Sequence, residues 1–135
     1  MDLIRLAYAS KRTISLNYDT VKQLIDTARI NNKAEDVTGI LVNFGPIFFQ
    51  VLEGPCINVN RIFQRISRDE RHEQIQVVYC REIGQRYFPD WSMRSVNLSN
   101  DSDQLTKYYL TEKEGFHPHL ASHFIIELVA RYTKA

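Results

Sequence analysis

The chain has 135 residues, 44% of them hydrophobic and 24% charged, with a formal net charge of +1. A single domain of this length buries about two thirds of the surface its unfolded chain exposes. Such a balance gives no sign of a nucleic-acid surface or a polybasic membrane patch, and no apolar run reaches the length of a membrane span.

The chain opens as Met1-Asp2-Leu3, the start of a strand instead of a secretory signal. From Leu3 to Ser10 the pattern alternates, with Ile4, Leu6 and Tyr8 on one face and Leu3, Ala7 and Ala9 on the other, where Arg5 interrupts. Tyr8 thus sets a phenol on an apolar face, where its hydroxyl needs a backbone or side-chain partner. Asn17 to Asp19 offers helix caps. Val21, Leu24, Ile25, Ala28 and Asn32 then follow helical spacing, with Arg29 at the edge of the stripe and Asn31 beside its end. The asparagine pair serves as a C-terminal cap, or Asn32 reads a planar polar ligand from the apolar face.

Val37 to Phe44 is the next strand, and Asn43-Phe44-Gly45-Pro46 turns it into Phe48-Phe49-Gln50-Val51-Leu52-Glu53-Gly54. Phe48, Gln50 and Leu52 share one face of this strand and Phe49, Val51 and Glu53 the other. Both faces are largely apolar, which predicts a central strand covered on each side. Gln50 is then a buried primary amide, and leaving it without partners costs about 1–3 kcal/mol. It either ties down a loop carbonyl or meets Tyr8 and a ligand. A second helix follows Gly54-Pro55, with a stripe of Val59, Ile62, Phe63 and Ile66. Arg65 and Asp69 flank that stripe, as a surface ion pair or as the polar rim of a ligand held between the two helices.

Ile75 to Arg81 alternates as a strand, Phe88-Pro89-Asp90 breaks the chain, and Trp91 to Val96 reads as the last strand. Trp91 and Met93 share a face there, which on spacing alone is core filling. A polar loop from Asn97 to Ser102 leads to helical pieces near Asp103 to Thr111 and Pro118 to Thr133. In the latter, Leu120, Phe124, Ile125, Leu128 and Val129 form a stripe suited to the second face of the sheet. The expected fold class is α+β: a ferredoxin-like βαββαββ sheet with two helices on one face and a C-terminal helical pair on the other. Residues 1–97 form the expected domain and 98–135 a C-terminal helical extension.

Tyr8, Asn32 and Gln50, with Trp91-Ser92-Met93, form a set that resembles the BLUF family of flavin-using blue-light sensors. The words that carry the resemblance are Phe48 to Gly54, Asp69-Glu70-Arg71-His72 and Phe88-Pro89-Asp90-Trp91-Ser92-Met93. It spans residues 3 to 97 and implies that Tyr8, Asn32 and Gln50 surround the pyrimidine edge of an isoalloxazine ring. Arg29, Asn31, Arg65 and Asp69 would be further polar contacts, and Leu24, Ile25, Ala28, Phe49 and Ile66 the apolar walls, although strand alternation places Phe49 opposite Gln50. The resemblance also implies a photoactive switch of Tyr8, Gln50, Trp91 and Met93. Light drives Tyr8 to reduce the flavin transiently, Gln50 rotates or tautomerises, and the oxidised flavin returns with a changed hydrogen bond at its C4 carbonyl and red-shifted absorption. The implied cofactor is FAD, with FMN as the alternative. The expected setting is cytoplasmic, in a homo-oligomer that signals to a downstream protein, consumes no substrate, and touches neither nucleic acid nor membrane.

Other functions fit the residues less well. Cys56 and Cys80 form no CxxC or metal spacing and no flavin-adduct motif, and read as reduced thiols. RNP-like segments are absent, as is a nucleophile paired with a base. His119 and His123 lie one helical turn apart near His117, but no paired carboxylate or cysteine accompanies them. A light-insensitive interaction module with this fold is the reading from another class.

Overall fold

The computed structural model describes residues 2–12, 18–44, 47–90 and 92–97. The expected helical extension, Trp91, the Gly45-Pro46 turn and the three C-terminal histidines lie outside the described residues. Within them the order is β1 (Leu3–Arg12), α1 (Tyr18–Ala34), β2 (Thr38–Phe44), β3 (Ile47–Pro55), α2 (Cys56–Ser67), β4 (His72–Glu82) and β5 (Arg94–Asn97). The strands form one sheet in the order β4-β1-β3-β2-β5. All neighbours are antiparallel except β2 and β5, which run parallel. This is the expected ferredoxin-like arrangement with one added edge strand.

β3 is the middle strand, and its two apolar faces follow from that position. On the helix-bearing face, Ile4, Leu6 and Tyr8 of β1 meet Phe48 and Leu52 of β3, and Ile25, Val59 and Ile62 of the helices close over them. On the other face Phe49, Val51 and Glu53 are fully buried. The β1–β3 register sets Tyr8 directly opposite Gln50, and Leu41 of β2 faces Gln50 from the other side.

Two local departures from regular geometry shape the sheet around Tyr8. The β1–β4 register slips between Ala7 and Tyr8 and again between Ala9 and Lys11. Each slip leaves extra residues on β4, and Gln74 at the second takes a positive φ of 52°. At the end of α1, Asp36 adopts φ 55° while Val37 N donates to Asn32 O at 2.8 Å and Asp36 N to Lys33 O at 3.3 Å. That pair of bonds is a Schellman closure, with an aspartate in the left-handed position usually given to glycine. Asn32 therefore closes the helix with its backbone carbonyl, which leaves its side-chain amide for other work.

The last strand begins later than expected, at Arg94, so Ser92 and Met93 belong to the segment that enters it.

Gly39 is required by packing: a Cβ there would lie 2.0 Å from the Val51 carbonyl oxygen of the paired strand. We expect Gly39→Ala to lower stability by at least about 2 kcal/mol in urea unfolding, because the obstacle is backbone. Gly84→Ala, with nothing within 4 Å of the added carbon, serves as the comparison and should stay within about 0.5 kcal/mol of wild type.

Candidate functional site

α1 and α2 do not meet along their length, and between them lies an open cleft of about 790 Å³, counted out to solvent. Leu24 and Ala28 of α1 and Ile62 and Ile66 of α2 wall the cleft; Tyr8, Leu41, Phe48 and Gln50 of the sheet form its floor. Asn31, Asn32, Arg65, Asp69, Arg71, Thr27 and Met93 complete the lining.

At the floor, Tyr8 OH donates to Gln50 Oε1. Gln50 Nε2 points at Met93 Sδ, 3.6 Å away. A thioether is a weak acceptor. Gln50 and Tyr8 are 5% and 3% exposed, so this chain of contacts lies buried at the bottom of the cleft. The Tyr8 and Phe63 rings also pack in a T-shaped arrangement, with centroids 5.5 Å apart. Burial, aided by the negative charge of Asp69, pushes the Tyr8 phenol well above its ordinary value, so it is held protonated.

The end of α1 holds the segment that carries Met93. Asn32 Nδ2 donates to Ser92 O at 2.7 Å and Arg29 Nε to Met93 O at 2.8 Å. Asn32 is only 1% exposed, yet among the described residues its Oδ1 meets no donor. One N–H of Gln50 is likewise unmatched there. Buried amide groups are normally satisfied. An orphaned acceptor and donor lining an apolar slot fit a flat ring system with a polar edge, which is the chemistry of a flavin. Across the cleft, Asp69 accepts from Arg71 through its backbone N and Nε, both at 2.9 Å, and through Nη2. The Asp69 carboxylate thus belongs to Arg71, two residues on, and Arg65 contributes a second guanidinium to the lining.

Most of the expected site residues come together on this cleft: Tyr8, Leu24, Ala28, Asn31, Asn32, Gln50, Arg65, Ile66, Asp69 and Met93 all line it. Three do not. Phe49 belongs to the opposite face of the sheet, as alternation requires, and Phe48 lines the cleft floor instead. Ile25 is in the core behind the cleft, and Arg29 spends its Nε on the Met93 carbonyl. Arg71 was legible in the Asp69-Glu70-Arg71-His72 word, and Thr27, Leu41 and Ile62 follow from the helical and strand periods around residues already singled out.

A split βαβ sheet with an apolar slot between its helices, and a buried phenol–amide pair at the floor, defines a small ligand-binding sensor domain. The chain belongs to the BLUF family, sensors of blue light using FAD, whose model matches residues 3–94. It is 33% identical over 101 residues to the photoactivated adenylate cyclase subunit beta of Euglena gracilis, covering 73% of this chain and 12% of that protein. The dark-state structure of BlrB, a BLUF protein, is similar at a TM-score of 0.80 and 29% identity, over 97% of each chain. BlrP1 of Klebsiella pneumoniae, solved with FMN and cyclic diGMP, is similar at a TM-score of 0.67 and 30% identity, over 71% of this chain and 26% of that one. The chain spans 10–12% of the length of the first curated relatives it matches. In such relatives the sensor accompanies an effector, an adenylate cyclase among them. No helix among the described residues is long and apolar enough to cross a membrane.

The raised phenol has a consequence for stability. The folded state holds the Tyr8 proton more tightly than the unfolded chain, whose tyrosine titrates near 10. Its contribution is therefore complete below pH 10 and is lost as pH climbs above that value. Between pH 10 and 11 wild-type protein should lose about 1 kcal/mol more stability than Tyr8→Phe, measured by urea unfolding at each pH. Equal losses would show a phenol free to ionise in the fold.

Proposed function

We propose that this chain binds FAD non-covalently in the cleft between α1 and α2, and that Tyr8 and Gln50 form the switch by which it senses blue light. The observation that carries this reading is the buried sequence of contacts, at the floor of the cleft, from the Tyr8 hydroxyl through the Gln50 amide to Met93 Sδ. Bound and excited by blue light, the flavin supplies a strong one-electron oxidant. Tyr8 is the donor of the electron, and its phenolic proton has an acceptor already in place at Gln50 Oε1. Once that proton is gone, the phenolic oxygen can only accept, and the Gln50 amide is better satisfied with its NH2 group turned toward Tyr8. Rotation, or the amide's tautomer, exchanges the group that Gln50 presents to the cleft. Release from Met93 costs little, because a thioether is a weak acceptor. Return of the electron and proton to Tyr8 leaves the altered amide behind as the signal.

Around this switch, Asn32 and Asn31 are suited to the polar edge of the ring, and Leu24, Ala28, Phe48, Ile62 and Ile66 to its faces. Arg65 and Arg71 suit a phosphate, which FAD and FMN share; FAD follows from the family's own chemistry. Ile25 and Arg29 act one layer behind. Residues 1–97 are the sensory unit. The altered amide next to Met93 is passed on through 98–135 to a downstream signalling protein, in a homo-oligomer in the cytoplasm, and no substrate is turned over.

Purified protein should be yellow, and blue light should move its main absorption band reversibly to longer wavelength. Gln50→Ala and Tyr8→Phe should each keep the flavin and lose that movement. A protein that stays colourless with added FAD would overturn this function and leave the light-insensitive interaction module. For ligand reading, Asn32→Ala should weaken flavin affinity about tenfold, or about 1.4 kcal/mol; unchanged binding in a titration would return Asn32 to a purely structural role.

A further inference from the structure

Glu53 stands three residues from Gln50 on β3, so its side chain leaves the opposite face of the sheet. It is fully buried and carries three donors: Arg5 Nε at 2.7 Å and Tyr87 N at 3.0 Å on Oε2, and Phe88 N at 2.8 Å on Oε1. Arg5 lies over the Tyr87 ring, 3.7 Å from its centroid. Just before these residues, Arg86 donates to Thr38 Oγ1 at 3.1 Å and to the Asp36 carbonyl at 2.9 Å. Phe88 is the one buried residue between Ile83 and Asp90. The connection after β4 is thereby pinned at 86–88 to the sheet, and at 92–93 to α1 through Asn32 and Arg29.

The two pins are not equivalent. Asn32 and Arg29 place Met93 relative to α1, whereas Glu53 places the segment relative to β3, the strand that also carries Gln50. The α1 bonds and the pairing of Arg94 with Ile40 hold the Met93 end of the connection; the Glu53 carboxylate is the contact that ties its earlier part, at Tyr87 and Phe88, to the strand of Gln50. We propose that Glu53 is a positioning residue for the Gln50 switch, acting through the 86–93 segment to hold Met93 against the Gln50 amide. This rests on the photoswitch reading above.

The test uses the full flavin-loaded chain. Glu53→Gln keeps the shape of the side chain but sets an NH2 group against donors, so one of the three bonds must open. Amide exchange at Tyr87 and Phe88 should quicken at least tenfold in the dark. With the segment loosened, the barrier to turning the Gln50 amide back falls, and dark recovery of the absorption band should be at least threefold faster. A role in general stability alone would combine independently with loss of Met93; positioning would not. Glu53→Gln with Met93→Ala should therefore recover within twofold of Met93→Ala alone. Arg61→Ala, which breaks an exposed ion pair with Glu35, should recover like wild type. If Glu53→Gln does not fold, Glu53→Asp keeps the charge while drawing the carboxylate back from Tyr87 and Phe88, and carries the same expectations. A folded, flavin-loaded variant that recovers within twofold of wild type, or effects that multiply in the double variant, overturns the proposal. A wild-type protein with no light-induced shift overturns the photoswitch itself and this proposal with it.

Discussion

The structure depends on finding partners for one primary amide inside an apolar core. Gln50 sits on the middle strand between Tyr8 and Leu41, where little of its surface is open to water. A buried amide without partners is costly, so the fold brings it a phenol from β1 and a thioether from the segment before β5. Neither is a strong, permanent partner. The phenol is fixed by the register of two paired strands, but it can change from donor to acceptor. The thioether is held by backbone contacts to α1 while binding the amide only weakly. An amide satisfied in this way is positioned accurately and released easily, which is what a switch requires and a structural tie does not.

The other face of β3 shows the opposite use of polarity. Glu53 and Arg5 are a buried, hydrogen-bonded ion pair whose remaining acceptor capacity is taken by two backbone amides. Removing one partner from such a pair costs about 3–5 kcal/mol, because the other charge is left buried and uncompensated. One strand thus carries a soft polar contact toward the helices and a hard one away from them. The hard contact fixes a loop whose far end supplies Met93 to the soft one.

Much of this was legible in the sequence, because it is written in period-two and helical spacing. The element order, the two faces of β3 and the shared face of Tyr8 and Gln50 follow from alternation. Phe49 marks where the family resemblance and that rule part: the residue of this strand that lines the cleft beside Gln50 is Phe48, which shares its face. Partners brought together by folding were less accessible. Arg5 could be seen interrupting an apolar face, but its carboxylate lies 48 residues away across the sheet. Helical spacing offers Arg65 and Asp69 as an ion pair or as a polar rim; both line the cleft, but α2 ends at Ser67 and the turn beyond it gives the Asp69 carboxylate to Arg71. The alternating pattern continues through Met93 and predicts strand there, whereas the strand begins at Arg94. Two side chains of α1 capture the Met93 carbonyl and that of Ser92 before the ladder begins.

The two register slips between β1 and β4 also bear on how this molecule meets its neighbours. β4 is an edge strand of eleven residues, and such an edge is a template on which a foreign strand can add. Its half-exposed Val77 would otherwise make it attractive. The extra residues interrupt the even row of backbone donors and acceptors, and increase the local twist. An incoming strand would find only short stretches in register. The irregularity that sets the sheet around Tyr8 therefore also protects this edge, which no other described strand covers, against edge-to-edge aggregation.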